Sequence, residues 1–308
     1  MGKYVVRRLL QMIPVLIGAT FLIFAMVFAL PGDPTDGKCG ERPCSAEYVA
    51  QYRKDHHLDD PLLVQYGKYV TNLAQGDFGT NYFNNTVSSE LLQRYPNTVK
   101  LASVAILFEI VIGIGVGVLA GTRKGGIVDT AVMLATLIFI SIPIIVLGPM
   151  AQIIFGIKLG WFKPTVSSGA PLQELLLPGL VLATLSVAYV ARLTRTNLVE
   201  NLRADYARTA IAKGLTHRRA IGVHTLRNSL IPVVTFIGAD FGALLGGAIV
   251  TERIFNIQGV GSMIFTGIAN RDGMSVVGAV TMLVLVFLIM NLLVDLLYGL
   301  LDPRISHD

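Results

Sequence analysis

Charge is scarce in this chain. Only 15% of its 308 residues are Asp, Glu, Lys or Arg, while 53% are hydrophobic and the mean hydropathy is +0.63. A typical soluble domain carries about 25% charged residues, so that balance excludes a soluble globular fold. Cysteine and histidine are equally sparse, at 2 and 5, too few for a disulfide-built scaffold. A structural zinc site wants four ligands, and Cys39 and Cys44 have no matching Cys or His pair, since His56 and His57 are adjacent. A phosphate-cradling loop is also missing. The stretch Gly121-Thr122-Arg123-Lys124-Gly125-Gly126 has glycine and lysine at the wrong spacing and no following hydroxyl, so it cannot hold ATP by that device. No Ser/His/Asp arrangement stands out, and Gly238-Ala239-Asp240 lacks the second aspartate motif of an intramembrane protease. The net charge of +5 and pI near 9.2 do not point to nucleic acid, because membrane proteins concentrate Lys and Arg in their cytoplasmic loops.

What is abundant is uncharged apolar length. Runs long enough to cross a bilayer, about 20 residues each, fall at Leu9–Leu30, Val99–Gly121, Ile127 to about Phe155, Leu175–Ala191, Leu230–Val250 and Ser275–Leu301. They predict an all-α polytopic membrane protein of six helices, the fourth run being the shortest. The first exceeds a signal-peptide core and lacks a small-residue cleavage site before Pro31, so it reads as a retained helix. Lys and Arg are about threefold denser in segments 1–8, 122–126, 192–229 and 302–308 than in 31–98, 156–174 and 251–275. Both termini are therefore expected in the cytoplasm and 31–98 outside. There Cys39 and Cys44 would meet oxidising conditions, as a local disulfide or as two free thiols.

Inside the spans, glycine recurs at helical spacing. Gly113, Gly117 and Gly121, and again Gly238, Gly242 and Gly246, form small-residue stripes that let helix backbones approach. Glu109 continues the first stripe into the bundle, and Asp240 falls on the face opposite the second. Acids at such depth are candidates for a translocation path or for structural hydrogen bonding. Pro143 and Pro149 would bend the third span. The inner segment 192–229 predicts a helix from about Arg203 to Lys213, a stop at Gly214, an N-cap at Thr216 and a second helix from His217 toward Pro232. Arg218 and Arg219 in its first turn oppose the helix dipole, which suggests an acidic partner surface or lipid headgroups.

This segment resembles a known family. Asp205 through Gly214, followed by His224-Thr225-Leu226-Arg227-Asn228-Ser229-Leu230-Ile231-Pro232, is similar to the cytoplasmic coupling loop of ABC importer permeases in their dipeptide/oligopeptide (DppB/OppB-type) branch. Pro31-Gly32-Asp33-Pro34, Gly76-Asp77-Phe78-Gly79-Thr80, Arg94-Tyr95-Pro96-Asn97-Thr98, Thr251-Glu252-Arg253-Ile254-Phe255, Gly259-Val260-Gly261 and Asp302-Pro303-Arg304-Ile305 resemble that family's other segments in the right order. The chain departs at Arg208, where the general motif has glutamate, at Gln258, and at Gly273-Met274.

The resemblance implies a type I importer permease core at 99–301, with an outer segment 31–98, a coupling loop 192–229 and an outer loop 251–275. Arg208, Ala210, Lys213, Gly214, Leu215, Thr216, His217, Arg218 and Arg219 would form the ATPase-coupling surface, with a short coupling helix at about Ala210 to Ala220. Glu252, Phe255, Gly259, Gly261, Arg271 and Asp272 would form an outer gate loop, and Glu109 and Asp240 would line the path. The implied chain is non-catalytic and binds no cofactor or metal. Its partners would be a second permease, two P-loop ATPases that use ATP and Mg, an extracytoplasmic peptide-binding protein and the lipid of a prokaryotic cell membrane. A proton-coupled secondary transporter or channel built on Glu109 and Asp240 is the rival, but it predicts inverted repeats and no clear internal symmetry is visible.

Overall fold

The computed structural model describes residues 2–28, 44–55, 59–81, 83–216 and 219–301. All named elements among them are helical. The first span is α1 (Gly2–Phe28), whose outward face leaves Leu10, Ile13, Leu22 and Met26 more than half exposed, as a lipid-facing helix should. Helices α2 (Ala46–Asp55) and α3 (Leu62–Ala74) follow. The second span is one unbroken rod made of α4 (Val87–Phe108), a π-helical stretch Glu109–Ile114 and α5 (Gly115–Thr122). It begins 12 residues before the expected Val99, because the polar residues that precede the apolar run are already helical.

The third span is broken. Helices α6 (Ile127–Ser141) and α7 (Ile144–Ala151), the latter continued by π-helical turns to Lys158, meet at 102°. Proline explains the break: Pro143 precedes α7 with an extended backbone and cannot continue α6. Pro149 sits inside α7 just before the hydrogen bonding widens. Counting that pair as one span gives six among the described residues, and five otherwise.

The fourth span, α8 (Leu176–Asn201), is the axis of the bundle. It runs ten residues past the expected Ala191, since Arg192 and Arg195, which ended the apolar run, stay helical with hydrogen-bond partners on α6. The Arg195 guanidinium donates to both Asp129 oxygens at 2.8 and 2.7 Å, and Arg192 Nε donates to Thr136 Oγ1 at 3.1 Å. Helices α4, α5 and α6 all pack on α8. After α9 (Asp205–Ala212) come the fifth span α10 (Leu226–Gly247), the short α11 (Ile249–Ile254) and α12 (Val260–Ala269), and the last span α13 (Gly273–Leu301). The helix after the coupling segment thus runs straight through Pro232.

The first glycine stripe is a contact surface against α8. A Cβ on Gly113 would lie 2.8 Å from Val190, one on Gly117 2.6 Å from Thr194 Cβ and 2.7 Å from the Ala191 carbonyl, and one on Gly121 3.0 Å from Leu198. The second stripe faces α13, where Gly238 meets Val294 and Gly242 meets Met290. Helices α1 and α13 run antiparallel, with Arg8 and Asp295 paired at 3.3 Å toward one end and Gly273 beside Val27 at the other. Across that second end lies α3, where Tyr69 donates to Thr281 at 2.9 Å and Tyr66 shares a 2.8 Å bond with Thr20.

Replacing Gly117 by alanine is expected to cost about 1–3 kcal/mol through overpacking against α8. Gly115, where an added methyl would meet nothing within 4 Å, accepts alanine without loss. Thermal unfolding of the two variants in detergent checks the contrast.

Candidate functional site

At the end of the bundle marked by the Arg123–Gly126 turn, the chain leaves α8 through Leu202 and enters α9. Ala204 is extended, Asp205 occupies the first turn where the helix dipole favours an anion, and Tyr206 Oη donates to Asn201 Oδ1 at 2.5 Å. Of α9 only Ala207 is buried; Arg208, Ile211 and Lys213 are exposed and Ala210 is half-buried. The helix stops where glycine was expected to stop it. Gly214 has φ +90°, a conformation that L side chains resist, and its N–H donates to the Ile211 carbonyl at 2.9 Å while Leu215 N–H donates to Ala210 at 3.2 Å. Of the range Ala210–Ala220 expected to hold the coupling helix, the described residues form the end of the helix Asp205–Ala212, the turn 213–216, and Arg219 and Ala220 at the start of the next helical turns.

His217 and Arg218 lie outside the described residues. The chain resumes at the exposed Arg219, followed by π-helical turns Ala220–Thr225 that pack against α9. These turns are anchored by Ser229, fully buried, whose Oγ donates to the Thr225 carbonyl at 2.8 Å. A small, exposed helix is thus packed on these turns, and Ser229 ties the start of α10 to α8 through the Asn197 carbonyl at 3.3 Å.

Midway through the bundle, the structure brings together two acids that are far apart in the chain. Glu109 is fully buried at the start of the π-helical stretch, and neither of its carboxylate oxygens has a hydrogen-bond partner among the described residues. Asp240 from α10 is its neighbour, and Ser186 from α8 stands beside Asp240. Three spans therefore converge on one carboxylate pair. The sequence placed Glu109 on an inward face and Asp240 on the face opposite its glycine stripe, and had no signal for their meeting. Among the described residues there is no group of three or more acids, cysteines or histidines that would hold a metal.

At the opposite end, four of the six outer-loop residues assemble. The Glu252 carboxylate, fully buried, accepts from Thr98 Oγ1 at 2.7 Å and from the Ser262 amide at 2.9 Å, while Val260 N–H donates to the same Thr98 oxygen at 3.0 Å. Gly259 and Gly261 are glycine because a Cβ on either would strike the carboxylate or the Ile249 backbone. Phe255 is fully buried and its carbonyl accepts from Val166 at 2.9 Å. Arg271 and Asp272 stand apart: Asp272 caps α13 through the Ser275 amide at 3.2 Å, and Arg271 is exposed. The cluster explains two motifs at once. Arg94–Thr98 and Thr251–Gly261 are a single latch, joining the Val87 half of the second span to the loop after the fifth.

Cys39 lies outside the described residues, and no free cysteine occurs among those described.

Bundle, exposed helix and latch together define a multi-pass membrane permease. Residues 113–307 match the family described as binding-protein-dependent transport system inner membrane component, and residues 1–102 match the N-terminal component of the same systems. The chain belongs to that family, the non-catalytic membrane subunits of ABC importers. It is 37% identical to the dipeptide transport system permease DppB of Alkalihalophilus pseudofirmus over the whole of both chains. It is 38% identical to DppB of Escherichia coli K12, over all of this chain and 99% of that one, and 37% identical to the glutathione transport system permease GsiC of Salmonella typhimurium over the whole of both.

Burial is the largest influence on Glu252 and pushes its carboxyl above the ordinary range, although Thr98 and the loop amides favour the charged form. A raised pKa in the fold means stability present at low pH and lost as pH rises through the folded value. Wild-type stability is therefore expected to fall from about pH 4.5 upward, and Glu252→Gln to flatten that slope. Glu252→Ala, which strands Thr98 and the Ser262 amide, is expected to cost about 1–3 kcal/mol. Thermal melts across pH check both.

Proposed function

We propose that the chain is one of two permease subunits of an ATP-driven importer of dipeptides or short oligopeptides in a prokaryotic cell membrane. The observation that carries this reading is the exposed helix Asp205–Ala212 with its Gly214 stop, packed against the turns Ala220–Thr225. It sits in a chain aligned end to end with permeases named for dipeptides. A helix so exposed and so firmly rooted is suited to receive a push from a partner and pass it to α8 and α10.

In this reading two P-loop ATPases, which bind and hydrolyse ATP with Mg, dock on Arg208, Ala210, Lys213, Gly214, Leu215, Thr216, His217, Arg218 and Arg219. A second, homologous permease completes the path, and an extracytoplasmic binding protein delivers peptide. Both termini, 122–126 and 192–229 face the cytoplasm; 31–98 lies outside, with Cys39 and Cys44 joined as a disulfide. The Glu109–Asp240 pair faces the path when the spans rearrange and meets the peptide ammonium there, while the Glu252 latch holds the outer loop through the cycle.

The buried Glu109–Asp240 pair also favours one rival, a proton-coupled carrier. The two are separated by energy source. With the intact system in cells, Gly214→Asp and Arg208→Glu are expected to lower dipeptide uptake at least about tenfold, a barrier rise of about 1.4 kcal/mol or more. Uptake is expected to stop on ATP depletion and to survive an uncoupler while ATP is held constant. Loss with the uncoupler and indifference to ATP would favour the rival.

A further inference from the structure

The stretch Gly121–Gly126, unable by its spacing to cradle ATP, forms most of a cleft of about 490 Å³ at the end of the bundle near α9. The remaining wall is Val199, Leu202 and Arg203, so the turn between the second and third spans faces the end of α8. Three cations line it: Arg123, Lys124 and Arg203. None of the three makes an ion pair among the described residues. The acid in reach, Asp129, is already engaged by both arms of Arg195 and by the Gly125 amide at 2.9 Å. Asp129 also feels Lys124, but its oxygens are taken up by Arg195 and Gly125, so the cleft keeps an excess of positive charge.

Its surroundings say which anion fits. Ile127, the first residue of α6, is 90% exposed, and Leu119, close to the cleft on α5, is 43% exposed. Apolar side chains so exposed at the ends of membrane-spanning helices are covered by acyl chains, so the cations sit where hydrocarbon gives way to water. A soluble anion would use the charges and leave that apolar flank unused; a ligand with a phosphodiester head and hydrocarbon tails uses both. Basic pockets between spans are recognised sites of anionic lipid heads.

We propose that this cleft is a binding site for an anionic phospholipid, its phosphodiester held by Arg123, Lys124 and Arg203 and its acyl chains lying over Leu119 and Ile127. The lipid would brace the turn between the second and third spans against α8, beside the helix offered to the ATPase. The site itself depends neither on the peptide reading nor on orientation, because in nanodiscs both leaflets carry the same lipid.

The test uses the full chain with whatever subunits accompany it, reconstituted in phosphatidylcholine nanodiscs with or without phosphatidylglycerol. Phosphatidylglycerol is expected to raise the wild-type Tm by about 5 °C. The triple variant Arg123→Gln, Lys124→Gln, Arg203→Gln is expected to lose most of that gain, whereas Lys158→Gln, a loss of charge at an exposed site away from the cleft, keeps it. An unchanged gain in the triple variant overturns the proposal. So does the same gain from millimolar inorganic phosphate in phosphatidylcholine alone, which would make the cleft a soluble-anion site. Should the triple variant fail to fold, Lys124→Gln serves: native mass spectrometry is expected to show fewer retained phosphatidylglycerol molecules than on wild type, and equal retention overturns the assignment.

Discussion

The close approach of the second span to the fourth is the contact that organises the bundle. In lipid there is little hydrophobic drive between helices, so association relies on packing, and packing needs side chains small enough to let backbones touch. Gly113, Gly117 and Gly121 supply that surface, and Val190, Thr194 and Leu198 fill it. With the second span seated, Arg195 reaches Asp129 and fixes the start of the third. The face of α8 that carries Ser186 then lies within reach of α10, where Asp240 meets Glu109.

That contact also links the two ends of the molecule. The rod that carries the glycines begins at Val87, runs past Thr98 in the Glu252 latch and ends at Thr122 beside the basic cleft. Helix α8 continues past the same end to within a hydrogen bond of α9 through Asn201 and Tyr206. A displacement of α9 is thus one rigid helix away from the glycine contact, and a displacement of the second span is felt directly at Glu252. The π-helical turns at Glu109–Ile114 and Ala220–Thr225 lie on this line. Such turns loosen the regular hydrogen-bond ladder and are frequent at functional sites.

Much of this was legible in the sequence, and the parts that were not share one cause. Apolar length located every span, glycine spacing named both contact stripes, and Gly214 marked the end of α9, because these signals are local. The span limits were misjudged where polarity was satisfied by a distant partner. Arg192 and Arg195 looked like the start of a loop until Thr136 and Asp129 were seen across from them. The sharp break at Ser141–Pro143 followed from proline, but its 102° angle did not. Glu252, Gly259 and Gly261 were visible as a motif, yet their reason lies in Thr98, far earlier in the chain. Glu109 and Asp240 were each singled out by depth, and only the fold shows that they form a pair.

A membrane subunit of an ABC importer belongs to a larger complex, and the partners proposed for this chain are open to a single experiment. A tagged copy would be purified from its native membrane in mild detergent and every companion identified by mass spectrometry. A second six-span permease and one or two P-loop ATPases are expected in the same complex. Recovery of the chain alone, or only with copies of itself, would contradict the importer assignment.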